Sequence, residues 1–207
     1  MYIPQTFNES DPEKLQALMR ENSFAPLITH ADNVPFATHL PFLIDTQSGP
    51  HVVLRSHMAR ANPQWRHFQN EEQALVIFQG PHTYISPSWY ESEMMVPTWN
   101  YAVVHAYGVP RPVDDAGLFD ILNGTVGQYE AGREAPWSMD SLPPEFVEKL
   151  MKAIVGFEIE ITRLEGKVKM SQNRSTGDRR GVIAGLEATS FADNHRVADF
   201  MRAMLPE

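Results

Sequence analysis

The stretch VPTWNYAVVHAYGVP, Val96 to Pro110, sorts its side chains by turns. Trp99, Tyr101, Val103, His105 and Tyr107 fall on one side of an extended chain, and Thr98, Asn100, Ala102, Val104 and Ala106 on the other. Period two over this length marks a strand, because successive side chains point to opposite faces. The aromatic side reads as core filler. The small side is then placed to lie against a flat ligand or a neighbouring subunit.

The same rhythm runs back to Phe24. FAPLITH, VPFATHLPFLID, HVVLRSH (from His51), ALVIFQG and HTYIS are short runs rich in Val, Ile, Phe and Thr, punctuated by Pro, Gly, Asn and Asp. This is the spacing of antiparallel strands in a barrel or sandwich. In FQGPHTYISPSWY, Phe78 to Tyr90, Gln79-Gly80-Pro81 reads as a turn between two strands, with Pro87 ending the second. The aromatics there read as packing, with His82 and Ser86 as ligand contacts to test. Further on, GFEIEITRL alternates Phe157, Ile159 and Ile161 with Glu158, Glu160 and Thr162, which predicts a strand with one buried face.

Helices punctuate this series. Ser10-Asp11-Pro12-Glu13 carries the caps of a helix start, followed by Leu15, Leu18 and Met19 on one stripe. Asn62-Pro63 supplies a cap and a first-turn proline ahead of Trp65 and Phe68. A helical period returns over 114–130, despite three glycines, and again from Pro143. Two short helices are predicted near 177–188 and 193–205. The class is α+β, with a six-stranded antiparallel barrel preferred over a sandwich. One domain spans 1–207, its residues 175–207 forming a C-terminal helical appendage.

Composition narrows the function. Apolar residues are 43% and charged residues 21% of 207, ordinary for a globular domain. There is no cysteine, so disulfides and thiolate metal sites are out. The first residues have neither a basic nor an apolar signal segment, and no window reaches the length of a membrane span, so a cytoplasmic location without membrane contact is expected. The net charge of −9 opposes broad DNA binding by the whole surface. A local basic run, Arg163 to Arg180, reads either as a solvated face or as an anion-binding surface.

Eight histidines raise the question of a metal, but none are paired at metal-ligand spacing, and no metal site is predicted. A more informative cluster follows the strand ending at Leu54. Arg55, Ser56, His57 and Arg60 arrive just before the helix capped by Asn62. Two guanidiniums, a hydroxyl and helix-start amides suit a phosphate dianion. The same residues also read as a strand end carrying solvated arginines, and composition does not choose between the two.

ATHLPF (37–42), HMARANPQW (57–65), FQGPHTYISPSWY, VPTWNY (96–101) and KMSQNR (169–174), in this order, resemble the PaiB-type proteins, a bacterial family of FMN-binding negative transcriptional regulators. The resemblance implies an antiparallel split β-barrel with peripheral and C-terminal helices, a homodimer, and FMN at the subunit interface. It places Arg55, Ser56, His57 and Arg60 at the FMN phosphate, and Thr38 and His39 along the isoalloxazine. Trp99 and Asn100 would come from the partner subunit, and Ser171, Gln172 and Arg174 to the same cleft. The arginine pattern of the oxidase branch is not recognisable, so no catalytic residue is assigned and a binding protein is preferred to an enzyme. The rivals are a flavin-dependent oxidoreductase, a haem-binding barrel using His57, His82 or His105, and direct DNA binding through a C-terminal helix-turn-helix with Arg179, Arg180 and Arg196 facing phosphate.

Overall fold

In the computed structural model, which describes residues 1–46 and 52–205, the capped start at Ser10–Pro12 opens α1 (Pro12–Glu21). Its Leu15, Leu18 and Met19 are buried, as the stripe predicts. His51, where one predicted strand begins, and Pro206 and Glu207, at the end of the predicted appendage, lie outside the described residues. Among the described residues there are eight strands rather than six: β1 (Asn8–Glu9), β2 (Phe24–Ala31), β3 (Val34–Pro41), β4 (Leu43–Asp45), β5 (Val53–Ala59), β6 (Ala74–Ile85), β7 (Thr98–Pro112) and β8 (Ile154–Lys169). The remaining helices are α2 (Asp115–Glu130), α3 (Pro144–Met151), α4 (Thr176–Glu187) and α5 (Ala192–Ala203).

The chain divides into two units. One comprises Met19–Phe78 and His105–Leu164. The strands form a sheet in the order β3-β2-β6-β7-β8-β5-β4, and the pairings of β2 with β3 and β6, of β4 with β5 and of β5 with β8 are antiparallel. The β2–β3 hairpin turns on Asp32 and Asn33, both at positive φ (52° and 59°), the backbone that a two-residue hairpin turn requires and that Asn and Asp tolerate. Ser56 closes β5 onto the end of β3 by donating to the Pro41 carbonyl at 2.6 Å. Inside, Phe157 is fully buried with its ring 5.1 Å from Phe68 and 6.3 Å from Phe42, which meets Phe78 at 5.9 Å.

The other unit comprises Met1–Leu18, Gln79–Val104 and Glu165–Glu207. Here β1 pairs with β8, Asn8 opposite Lys167, and α4 and α5 pack together through buried Val182, Leu186, Val197 and Met201. The C-terminal helices thus belong to the same unit as the chain's first residues.

Two sequence expectations are corrected. Gln79-Gly80-Pro81 is not a turn, because β6 runs unbroken from Ala74 to Ile85. Gly80 serves close packing instead: a Cβ there would sit 2.9 Å from Leu18 Cδ1 and 3.2 Å from the Ala102 carbonyl. The described pairing of β6 with β2 covers only Leu75 and Val76, so Pro81 lies beyond it and its missing N–H breaks no bond on that side. On β7 the faces are exchanged. Asn100, Ala102, Val104, Ala106 and Gly108 are buried, while Trp99 is 53% exposed and Tyr101, Val103, His105 and Tyr107 are partly exposed. Small residues belong inside because neighbouring backbone comes very close to this strand.

Candidate functional site

Five of the predicted site residues on strands, with Arg60 just beyond, lie in the unit of residues 19–78 and 105–164. Thr38 is half-buried on β3 and accepts from Asn62 Nδ2 at 2.9 Å. Asn62 is the cap that its Asn-Pro pairing predicts, with Oδ1 accepting from the Gln64 amide at 3.0 Å over the 3-10 helix Pro63–Asn70. His39 is exposed and its ring stacks on Phe24 at 6.3 Å. Buried Gln64 ties the site's floor together, donating to the Leu27 and Phe36 carbonyls at 2.9 and 3.1 Å.

Arg55, Ser56, His57 and Arg60 do not converge on one point. Alternation along β5 sends Ser56 inward, where it is 1% exposed and spent on Pro41, and sends Arg55 and His57 to the other face. Arg55 is engaged by Asp45 at 2.9 Å and Glu158 at 3.7 Å, so its charge is already answered. Past the strand end, Arg60 donates from Nε to the Lys152 carbonyl and from Nη2 to the Ile154 carbonyl, each at 2.8 Å. Arg60 is therefore a clamp on the start of β8. Arg60→Ala should lower stability by about 1–2 kcal/mol and leave flavin affinity within a factor of two. Paired chemical unfolding and titration check both halves.

His57 has a buried Nδ1 with no hydrogen-bond partner among the described residues. Burial pushes its pKa below the ordinary 6.5. Since the folded value is the lower one, the unfolded chain takes up the proton first as pH falls. The stability tied to neutral His57 is thus fully present above pH 6.5 and is lost as pH drops through the lowered value. His57→Gln should flatten the wild-type fall in melting temperature over that window. An unchanged pH profile in the variant would remove His57 as its source.

The other five predicted residues lie in the unit of residues 1–18, 79–104 and 165–207. Asn100 and Ser171 are buried, the Ser171 hydroxyl lying 3.1 Å from both Nδ2 and Oδ1 of Asn100, and Asn100 also meets the Met201 sulfur at 3.3 Å. They brace the turn after β8, where Ser171 holds a left-handed φ of 60°. Gln172 closes the same turn, accepting from the Met170 amide at 2.6 Å and donating to the Val168 carbonyl at 2.5 Å. Trp99 is exposed and Arg174 half-buried. The Trp99 ring meets Tyr84 edge-on at 6.2 Å, and the Arg174 guanidinium lies 5.7 Å from the Tyr90 ring.

Beside Trp99 is a groove of about 370 Å³ lined by Gln79, His82, Trp99, Tyr101, Ala102 and Val103. Beside it stand two cations of the basic run Arg163 to Arg180, which the sequence offers as a solvated face or an anion-binding surface. Lys169 donates to Thr98 Oγ1 at 2.5 Å and to the Trp99 carbonyl at 2.7 Å. Lys167 donates to the Tyr2 carbonyl at 3.1 Å and lies 5.2 Å from the Tyr101 ring. The signal was present, since Lys167 and Lys169 stand two apart in a strand and must share a face. Burial, then the charges of Lys167 and Arg174, hold the Lys169 ammonium below its ordinary pKa of 10.5.

Of the three C-terminal arginines expected to face DNA phosphate, Arg179 is buried. Arg179 is 6% exposed and donates to the Met204 carbonyl at 2.6 Å, so it caps α5 from inside. Arg196 is exposed and pairs with Asp193 at 3.5 Å, and Arg180 is exposed as well.

Residues 1–163 match the family described as "Putative FMN-binding domain". The chain belongs to this FMN-binding domain family. Within it, the chain is 38% identical over 205 residues to the protease synthase and sporulation protein PAI 2 of Bacillus subtilis, covering 99% of this chain and 98% of that one, which places it with the PaiB type. It is also 32% identical over 242 aligned positions to an uncharacterised protein of Emericella nidulans, covering 98% and 96%. Among solved structures, the flavocytochrome Anf3 of Azotobacter vinelandii superposes with a TM-score of 0.63 at 14% identity, covering 81% of this chain and 72% of that one. The FAD and haem binding protein of Mycobacterium smegmatis gives 0.62 at 16%, covering 86% and 80%. These likenesses show the fold, an α+β antiparallel split barrel. Among the described residues, no helix is long and apolar enough to cross a membrane, and no group of three or more acidic or histidine side chains is arranged to hold a metal ion.

Proposed function

We propose that the protein binds FMN, assembles as a homodimer and acts in negative control of transcription. The observation that carries the ligand is the groove walled by Trp99 and Tyr101, with Lys169 bonded to the Trp99 carbonyl and Lys167 beside the Tyr101 ring. Aromatic walls fit a flat isoalloxazine, and a cationic border fits its phosphate. When bound, FMN would supply reversible electron uptake; the protein's own part is to stack, orient and hold the ring. Exposed Tyr84 and Trp99 supply the apolar surface that a second copy would cover.

One absorbance spectrum and one titration test the cofactor. Added FMN should lose fluorescence on binding and raise the melting temperature, because a ligand that binds only the native state stabilises it. Unchanged fluorescence with no thermal shift at saturation would refute it. Light scattering reports the dimer. A gel shift on the promoter of its own gene, repeated across salt concentrations, reports direct DNA contact, since phosphate contacts must produce a salt slope.

His82 gives a specific reason to keep the haem reading as the second one. Its ring lines the groove, with Nδ1 at 3.2 Å from the Gly80 carbonyl. A Soret band on adding haem that disappears in His82→Ala would favour it. Steady oxidation of a reduced nicotinamide by the flavin-loaded protein would favour an oxidoreductase.

A further inference from the structure

We infer that Lys169 and Arg174 are the anion-holding end of the groove, by which the protein selects a flat ligand carrying a terminal phosphate, an assignment that rests on the FMN-binding reading above. The argument begins with charge. The chain carries 26 acidic against 17 basic side chains, so a surface cation readily meets a carboxylate. Lys14, Arg55, Arg133, Arg196 and Arg202 each have one within ion-pair distance. Lys167, Lys169 and Arg174 have none among the described residues.

What these three side chains touch is neutral. Lys167 meets a carbonyl and two tyrosine rings, and Lys169 a hydroxyl and a carbonyl. Arg174 meets the Met95 sulfur at 3.9 Å and the Tyr90 ring. Three like charges held close together, partly out of water and without counter-charge, repel one another, and an anion relieves that repulsion. The lowered pKa of Lys169 has the same origin.

Donor capacity separates the three. Lys167 is 9% exposed and turned into the fold, so its charge acts at a distance. An ammonium has three N–H donors, and Lys169 spends two on Thr98 and Trp99. The guanidinium of Arg174 has no oxygen acceptor among the described residues, and its planar fork matches two phosphate oxygens. The Trp99 carbonyl that holds Lys169 belongs to the residue whose ring walls the groove, so the cation and the stacking surface are fixed by one strand end. The buried Asn100–Ser171 pair and the self-closed Gln172 then support the turn from which Arg174 projects. They act as positioning residues.

Isothermal titration of FMN and of riboflavin, which lacks the phosphate, into wild-type, K169M, K169R, R174M and R60A protein tests this. Wild-type protein should prefer FMN. K169M and R174M should each weaken FMN by about tenfold or more, the scale of one charge-assisted contact to phosphate, and leave riboflavin within about twofold. K169R and R60A should keep the preference. Circular dichroism melts establish that each variant is folded. R174M is the safeguard, because the Arg174 side chain bonds to no backbone group that its loss would strand. If wild-type protein binds both flavins and folded K169M and R174M keep its FMN-to-riboflavin ratio, the phosphate is held elsewhere and this assignment falls alone. If wild-type protein binds neither flavin, the FMN reading falls and takes the assignment with it.

Discussion

Phe157→Ala should cost about 3–5 kcal/mol, the range for truncating a fully buried aromatic. Phe157 is 0% exposed on β8 and its ring contacts both Phe42 and Phe68. Phe42 comes from the link between β3 and β4, and Phe68 from the 3-10 helix after β5. One ring therefore joins three chain segments that are distant in sequence, and the surrounding strands cannot collapse into the space it leaves. Urea unfolding checks the size of the effect, with Phe146→Ala as the comparison, since Phe146 on α3 is 46% exposed. A loss for Phe157→Ala no larger than that for Phe146→Ala would mean that the aromatic cluster is not the core of its unit.

Much of this fold was legible in local pattern. Phe157, Ile159 and Ile161 alternate with acids, and all three are buried as that alternation requires. Asn62-Pro63 caps its helix turn by the bond the pair predicts. What local pattern did not carry was decided by packing partners far along the chain. Gly80-Pro81 has the composition of a turn, yet β6 passes straight through, because Leu18 and Ala102 approach too closely for a side chain at position 80. No window around residue 80 contains either partner.

The site divides in the same way. Trp99 is 53% exposed and walls the groove, and Arg174 is half-buried against the Tyr90 ring. The four side chains of the strand-end cluster do not converge, for two reasons that composition does not express. Period two turns Ser56 away from Arg55, a fact readable from the strand itself. The acceptors that occupy Arg55 and Arg60, namely Asp45, Glu158 and the carbonyls of Lys152 and Ile154, stand far from them in sequence, and only the folded chain brings them near. Lys169 was legible only as a member of the basic run Arg163 to Arg180. It looked like one basic residue among several, and its significance is that no described carboxylate answers it, which a sequence does not show.

Gly108→Val should abolish or nearly abolish folding, with a loss of at least about 3 kcal/mol. A Cβ at position 108 would collide with the Glu160 carbonyl and stand 2.6 Å from Ile159 Cγ2. Backbone on β8 cannot rotate away as a side chain could, so β7 and β8 would have to separate. Val109→Thr, one residue along on the partly exposed face, should change stability by less than about 1 kcal/mol. The pair decides which face of β7 is inside. Were the aromatic face the core, position 108 would point outward and tolerate valine, while a hydroxyl at 109 would be buried without a partner. Soluble yield and melting temperature distinguish these outcomes directly. The same geometry bears on function, because only an inward small face leaves Trp99, Tyr101 and Val103 free to form the groove.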